Sequence, residues 1–294
     1  MKINKLIYNI KKYYNSYNID DINIDNIYNK SLINNYISIT NSTNFSNFPE
    51  VQINLEKCKY ITLIYLNYLN IKLYVYSCNK LNNIEISKLL KLYRRISFIY
   101  KYYNINKTIN IHLSFWLKSK IIPYKNQLFE PIHINGGFTN INGNDIYVFR
   151  KDEYSKVILH ELMHHINKLN TLLFNIKSSN ILILKNFFNI DNKCIIEPTE
   201  AIIEFWATIY NLIFISIEYS IPFKLLLKKE LSFTLFQYKK IITKYKHINK
   251  WNEKTNIFSY IIIKLILLLN YNKFLKLNIP YEEHLFINFI MKYY

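Results

Sequence analysis

Residues 145–165 read DIYVFRKDEYSKVILHELMHH. The first six alternate in the manner of a half-buried strand. From Lys151 onward the apolar residues recur at three- and four-residue intervals, as on an amphipathic helix. The stretch therefore predicts a strand over Asp145–Arg150 that runs into a helix over Lys151–Asn167, with Asp152 and Glu153 in its first turn, where carboxylates suit the helix dipole. Upstream, Asn142-Gly143 lies between alternating flanks and predicts a tight hairpin turn. Gly136 and Gly137 either make a turn or permit a close backbone approach; the turn is favoured.

The predicted helix carries His160-Glu161-Leu162-Met163-His164. On a helix turning 100° per residue, His160 and His164 lie about 40° apart, so both imidazoles reach one point in space. His165 points elsewhere. Two imidazoles on adjacent turns can chelate one Zn²⁺ without bending the backbone. Glu161, one step round, sits beside such a metal and not on it, where a carboxylate can take a proton from water and pass it to a leaving amine. The bland alternative is a pair of surface histidines with no metal. Against it, Val157, Ile158, Leu159, Leu162, Met163 and Ile166 surround the motif with apolar side chains, and polar groups in such company need partners.

A catalytic zinc ordinarily takes three protein ligands and leaves one position open. In EPTEAIIEFWA (197–207), Glu200 and Glu204 are four apart on one helical face among apolar neighbours, a costly place for carboxylates without compensating charge. Glu200 is assigned as the third ligand. Glu204 is assigned to accept a hydrogen bond from the far nitrogen of a ligating histidine, orienting the ring. Glu197, placed before Pro198 at the helix entry, is the weaker candidate. The alternative is that both carboxylates face solvent or pair with lysines.

The remaining sequence frames this site. Residues 1–50 are polar and Asn-rich and read as a loosely structured arm with room for short helices. Lys59–Cys78 alternates and predicts a hairpin turning near Asn67–Asn70. Ile84–Tyr103 predicts an amphipathic helix and Thr108–Leu117 a strand. Pro198 suits the first turn of a helix running through EAIIEFWATIYNLIF, and the chain is mostly helical in pattern beyond Pro222. The fold class expected is α+β, with a β-rich lobe ending in the active-site helix (51–168) and a helical lobe (169–294). Together they form a single catalytic domain over 51–294.

Composition narrows the classes of function. The chain has 294 residues and a formal net charge of +18. About 40 asparagines, with Ile, Lys and Tyr similarly inflated, follow A- and T-rich codons. Lysine outnumbers arginine 35 to 3, and arginine is the preferred phosphate-reading residue, so no nucleic-acid partner is expected. Three cysteines fit a reducing, cytoplasmic compartment, the start lacks a secretory pattern, and no membrane span is expected. The sequence leaves the oligomeric state undefined.

His160-Glu161-Leu162-Met163-His164 with Thr199-Glu200-Ala201-Ile202-Ile203-Glu204 resembles the gluzincin group of zincin metallopeptidases. More narrowly, IYVFRKDEYSKVILHELMHH with EAIIEFWA is similar to uncharacterised HExxH proteins of large DNA viruses, for which host cytoplasm or a virion is the implied location. The resemblance covers about residues 132–210. It implies a zincin-like fold and hydrolysis of peptide or protein substrates by a zinc-activated water, with Glu161 as general base. It also implies that the strand before the helix, Asp145–Arg150, is a sheet edge with which an extended peptide pairs. One departure is that 35 residues separate His164 from Glu200, more than in well-known gluzincins. Two alternatives are a zincin scaffold without turnover and, on charge alone, a basic nucleic-acid-contacting protein. The donor for the tetrahedral oxyanion is open, with many tyrosines and with His247 and His284 available.

Overall fold

A computed structural model describes residues 3–14, 21–42, 49–124, 127–140, 142–166, 176–245, 249–277 and 283–294; His247 and the predicted helix end at Asn167 lie outside them. The architecture is mixed α+β, 57% helix and 14% strand. The chain divides into two compact units: a sheet unit of residues 9–120 and 135–166, and a helical unit of residues 1–8, 121–134 and 167–294.

Among the described residues the sheet unit holds six strands: β1 (Asn23–Ile27), β2 (Tyr60–Tyr65), β3 (Ile71–Ser77), β4 (Ile109–Trp116), β5 (Gly137–Thr139) and β6 (Asp145–Arg150). Their spatial order is β1-β2-β3-β4-β6-β5. The β2–β3 hairpin is antiparallel, with Leu63 opposite Tyr74. β3, β4 and β6 run parallel, and parallel neighbours need a crossover. Helix Asn83–Tyr102 makes the one between β3 and β4, and it opens on a reciprocal cap in which Asn82 and Glu85 each accept from the other's backbone N–H. Alternation sends Leu73, Val75, Ile111, Leu113, Ile146 and Val148 to one fully buried face.

Within residues 1–50 the described segment from β1 to Ser42 is no loose arm: β1 pairs antiparallel with β2, and helix Lys30–Ser42, one of the short helices expected there, buries Ile33 and Tyr36. β6 is not an edge, because β4 takes one side of it and β5 the other, with Gly137 opposite Val148. The helix after β6 begins at Tyr154, since Glu153 has φ 60°, a left-handed conformation that stops helical continuation on its N-terminal side. The β5–β6 hairpin forms as expected. Its turn is held by the Gly143 N–H donating to the Asn140 carbonyl at 2.8 Å, with Gly143 at negative φ.

Gly137 is needed for close approach and makes no turn. A Cβ there would lie 2.7 Å from the Tyr147 carbonyl and 2.9 Å from Val157 Cγ1, so the bare backbone lets the helix after β6 settle against the sheet. Arg150, fully buried, donates to the carbonyls of Asn135 and Lys118 and stacks its guanidinium 4.7 Å from the Trp116 ring centre. It thereby ties together the two points between which the chain departs for residues 121–134.

The helical unit is built on helix Glu200–Tyr219, which buries Ala201, Ile203, Phe205, Ala207, Ile209, Tyr210, Ile213 and Phe214 completely. Among the described residues it is the one helix long and apolar enough to cross a membrane, and 67% of its most apolar window is buried within the fold. It ends at Ser220, in the left-handed conformation, just ahead of Pro222. Helix Phe223–Tyr245 and the segment Phe258–Leu269, π-helical as far as Ile263, follow it. That segment is capped by Glu253, whose buried carboxylate accepts from the backbone N–H groups of Ile257 (2.7 Å) and Phe258 (3.0 Å), from Thr255 Oγ1 and from Trp251 Nε1. Burial pushes this carboxyl up to about 7 even though the four donors pull the other way.

Candidate metal centre

Helix Tyr154–Met163 is buried along its whole second half, with Ile158, Leu159, Leu162 and Met163 at zero exposure. His160, Glu161, His164 and His165 are all buried as well. The regular helix ends at Met163, but His164 keeps right-handed helical angles (φ −61°, ψ −20°), so the four-residue spacing still brings it beneath His160. The two Nε2 atoms are 3.3 Å apart and the ring planes cross at 68°. Two nitrogens bound tetrahedrally at 2.0–2.1 Å from one Zn²⁺ are separated by about 3.3 Å. The pair thus stands at the bite of a tetrahedral ion.

His165 diverges from this pair, as its place on the helix requires. Its Nε2 lies 2.7 Å from Thr139 Oγ1 on β5. The Thr139 hydroxyl donates to the Asp145 carbonyl, so it accepts from His165, which places that imidazole's proton on Nε2. Burial first, then the Lys107 and His164 charges, hold His165 down to about 3, which favours the neutral ring.

The two glutamates assigned from the sequence belong to the helical unit. Glu200 is the first residue of its helix and half-buried, and its Oε2 accepts from the Tyr260 hydroxyl at 3.3 Å. Nearby, Glu197 is raised by burial and then by the Glu200 charge, while Asn256 donates to it at 3.2 Å. Glu204 is buried, with Oε1 3.6 Å from Lys264 Nζ; the same ammonium lies 3.3 Å from Glu230 Oε1. Lys264 is itself only 3% exposed. Glu204 thus has Lys264 as one partner, and Tyr260 is a partner of Glu200 that no local pattern announces.

No family model, curated protein or solved structure matches the chain.

A second polar constellation lies in the sheet unit. His112 on β4 is stacked between Tyr74 and Tyr147, with ring planes 8° and 13° from its own. Its Nε2 is 3.3 Å from Asp145 Oδ1 and its Nδ1 is 2.9 Å from the Tyr76 hydroxyl. The His112 hydrogen bond holds the Asp145 carboxyl below its usual range. A carboxylate can only accept, so the consistent order is Tyr76 O–H to Nδ1 and Nε2–H to Asp145. The array joins β3, β4 and β6 and accounts for its own polar groups.

Proposed function

We propose that the chain is a zinc-dependent peptidase of the HExxH type, built on a zincin-like arrangement, in which His160, His164 and Glu200 take the metal and Glu161 is the general base. The observation that carries this reading is the 3.3 Å separation of two buried imidazole nitrogens. Such a pair needs either a shared proton or a cation between its lone pairs, and the donor set of two imidazoles and one carboxylate suits zinc. When bound, zinc supplies Lewis acidity toward a peptide carbonyl and lowers the pKa of water. Glu161, buried and one residue on from His160, accepts the proton of the attacking water and delivers it to the leaving amine. Tyr260 steadies the Glu200 carboxylate through its hydroxyl.

Because β6 is internal, the edge strand beside it, β5 (Gly137–Thr139), is the one assigned to an extended peptide. Retention of Glu161 favours turnover over a bare scaffold, since a purely structural zinc has no use for a base. The test is metal analysis of the purified chain together with hydrolysis of a broad peptide library, read by mass spectrometry. One zinc per chain and chelator-sensitive cleavage are expected. A protein that takes up no zinc sinks the proposal, and zinc without cleavage leaves the scaffold in place of the enzyme.

A further inference from the structure

We propose that Cys58 and Cys78 form a reversible disulfide by exchange with an anionic low-molecular-weight disulfide of the oxidised-glutathione class. All three cysteines are free thiols, Cys78 exposed and Cys58 buried. The two stand just outside the β2–β3 ladder, whose last rung is Tyr60 opposite Ser77. Beyond that rung the Lys59 N–H also donates to the Ser77 carbonyl, at 3.0 Å. Two consecutive residues thus face Ser77, as in a β-bulge, and the register slips by one so that Cys58 comes opposite Cys78. Opposed residues of antiparallel strands have Cα atoms about 4.5 to 5.5 Å apart, inside the range a disulfide spans. The Cys58 sulfur lies 3.4 Å from the Asn54 carbonyl, and the two thiols stand close enough for the charge on Cys78 to act on Cys58.

Both cysteines line a cavity of about 330 Å³ whose charged lining is Lys80, Lys88 and Lys151 against Glu85 alone. That balance favours an anionic reagent over a neutral one. The order of events follows from access. The exposed Cys78 thiolate attacks one sulfur of the reagent, making a mixed disulfide and expelling one thiolate. Cys58, its thiol pushed up to about 12 by burial and then by the Cys78 charge, is the slower second nucleophile. It loses its proton to solvent and attacks the Cys78 sulfur, releasing the second thiolate. Two protein thiols are oxidised and one small disulfide is reduced to two thiols.

The experiment takes the reduced full-length chain, adds oxidised glutathione, and follows thiol count and peptide masses. Two of three thiols should disappear, with one Cys58–Cys78 cross-linked peptide, Cys194 still alkylatable and no glutathione retained. Cys58→Ser should keep one glutathione on Cys78. Oxidation of the native chain should run several-fold faster with oxidised glutathione than with neutral 2-hydroxyethyl disulfide, and Lys80→Glu should narrow that ratio. Glutathione stably held on native Cys78, a cross-link between chains, or unchanged thiols would each overturn the disulfide. Equal rates with the two reagents would overturn the selection for anions.

Discussion

His160 and His164 present their Nε2 atoms to each other at 3.3 Å, while the adjacent His165 turns its Nε2 to Thr139. Replacing His160 or His164 by Ala should therefore abolish stoichiometric zinc, and His165→Asn should retain it. Elemental analysis of the three variants checks this. Equal zinc loss in all three would contradict the division of roles.

Glu161→Gln keeps size and polarity but removes the base. Zinc content should be unchanged and peptide hydrolysis should fall by a factor on the order of 10² to 10⁴. Cleavage that continues at the native rate would end the proposed mechanism.

The two helical-unit glutamates should separate by readout. Glu200→Ala should weaken zinc strongly, as loss of a ligand does. Glu204→Gln should weaken it only about 10- to 100-fold, as loss of a carboxylate that orients a ligating histidine does, and a larger effect than that of Glu200→Ala would exchange the two roles. Glu204 also shares Lys264 with Glu230, so Lys264→Met, which removes the buried ammonium both carboxylates face, should cost about 3 to 5 kcal/mol in metal-free denaturation. An unchanged midpoint would show that the buried cation is dispensable.

Gly137→Ala introduces a Cβ 2.7 Å from the Tyr147 carbonyl. The helix that carries His160 must then shift or the strand must bend, at about 1 to 3 kcal/mol. A urea midpoint equal to that of the native chain would refute the close-approach argument.

Glu253 gives a pH signature. Its folded carboxyl is raised to about 7 from 4.5, so the folded state holds a proton that the unfolded chain has already released. Its contribution to stability is complete below about pH 4.5 and is lost as pH rises through 7. Between pH 5 and 8 the native chain should lose more stability than Glu253→Gln does, as measured by chemical denaturation at each pH.

Much of the local structure was legible because it repeats within a few residues. The β2–β3 hairpin, helix Asn83–Tyr102, β4 and β6 fall within a residue or two of their periodic patterns, and His160 and His164 converge because a helix imposes it. What escaped was short or non-local. The β5–β6 turn was legible at Asn142-Gly143, but the edge position of β6 was implied only by the zincin resemblance; its pairing with β4 on one side and β5 on the other is a matter of sheet order, which no local pattern carries. β1, NIDNI, joins the sheet through its backbone while exposing its middle side chains, so its polar character suggested an arm. The left-handed Glu153 has no composition signal, and the Glu204–Lys264 pair joins residues far apart in the chain.

The departure of residues 121–134 from the sheet unit has a consequence for synthesis on the ribosome. These residues emerge early, yet their partners come more than a hundred residues later: Lys244 Nζ holds the carbonyls of Tyr124 and Gln127, Phe129 stacks on Tyr245, and Lys254 pairs with Glu130. While translation proceeds through the helical unit, this segment waits without these later contacts, between two strands of a sheet whose residues have all been made. A nascent chain halted before Tyr245 should therefore be cut by protease within 121–134, and the released full-length chain should be spared there.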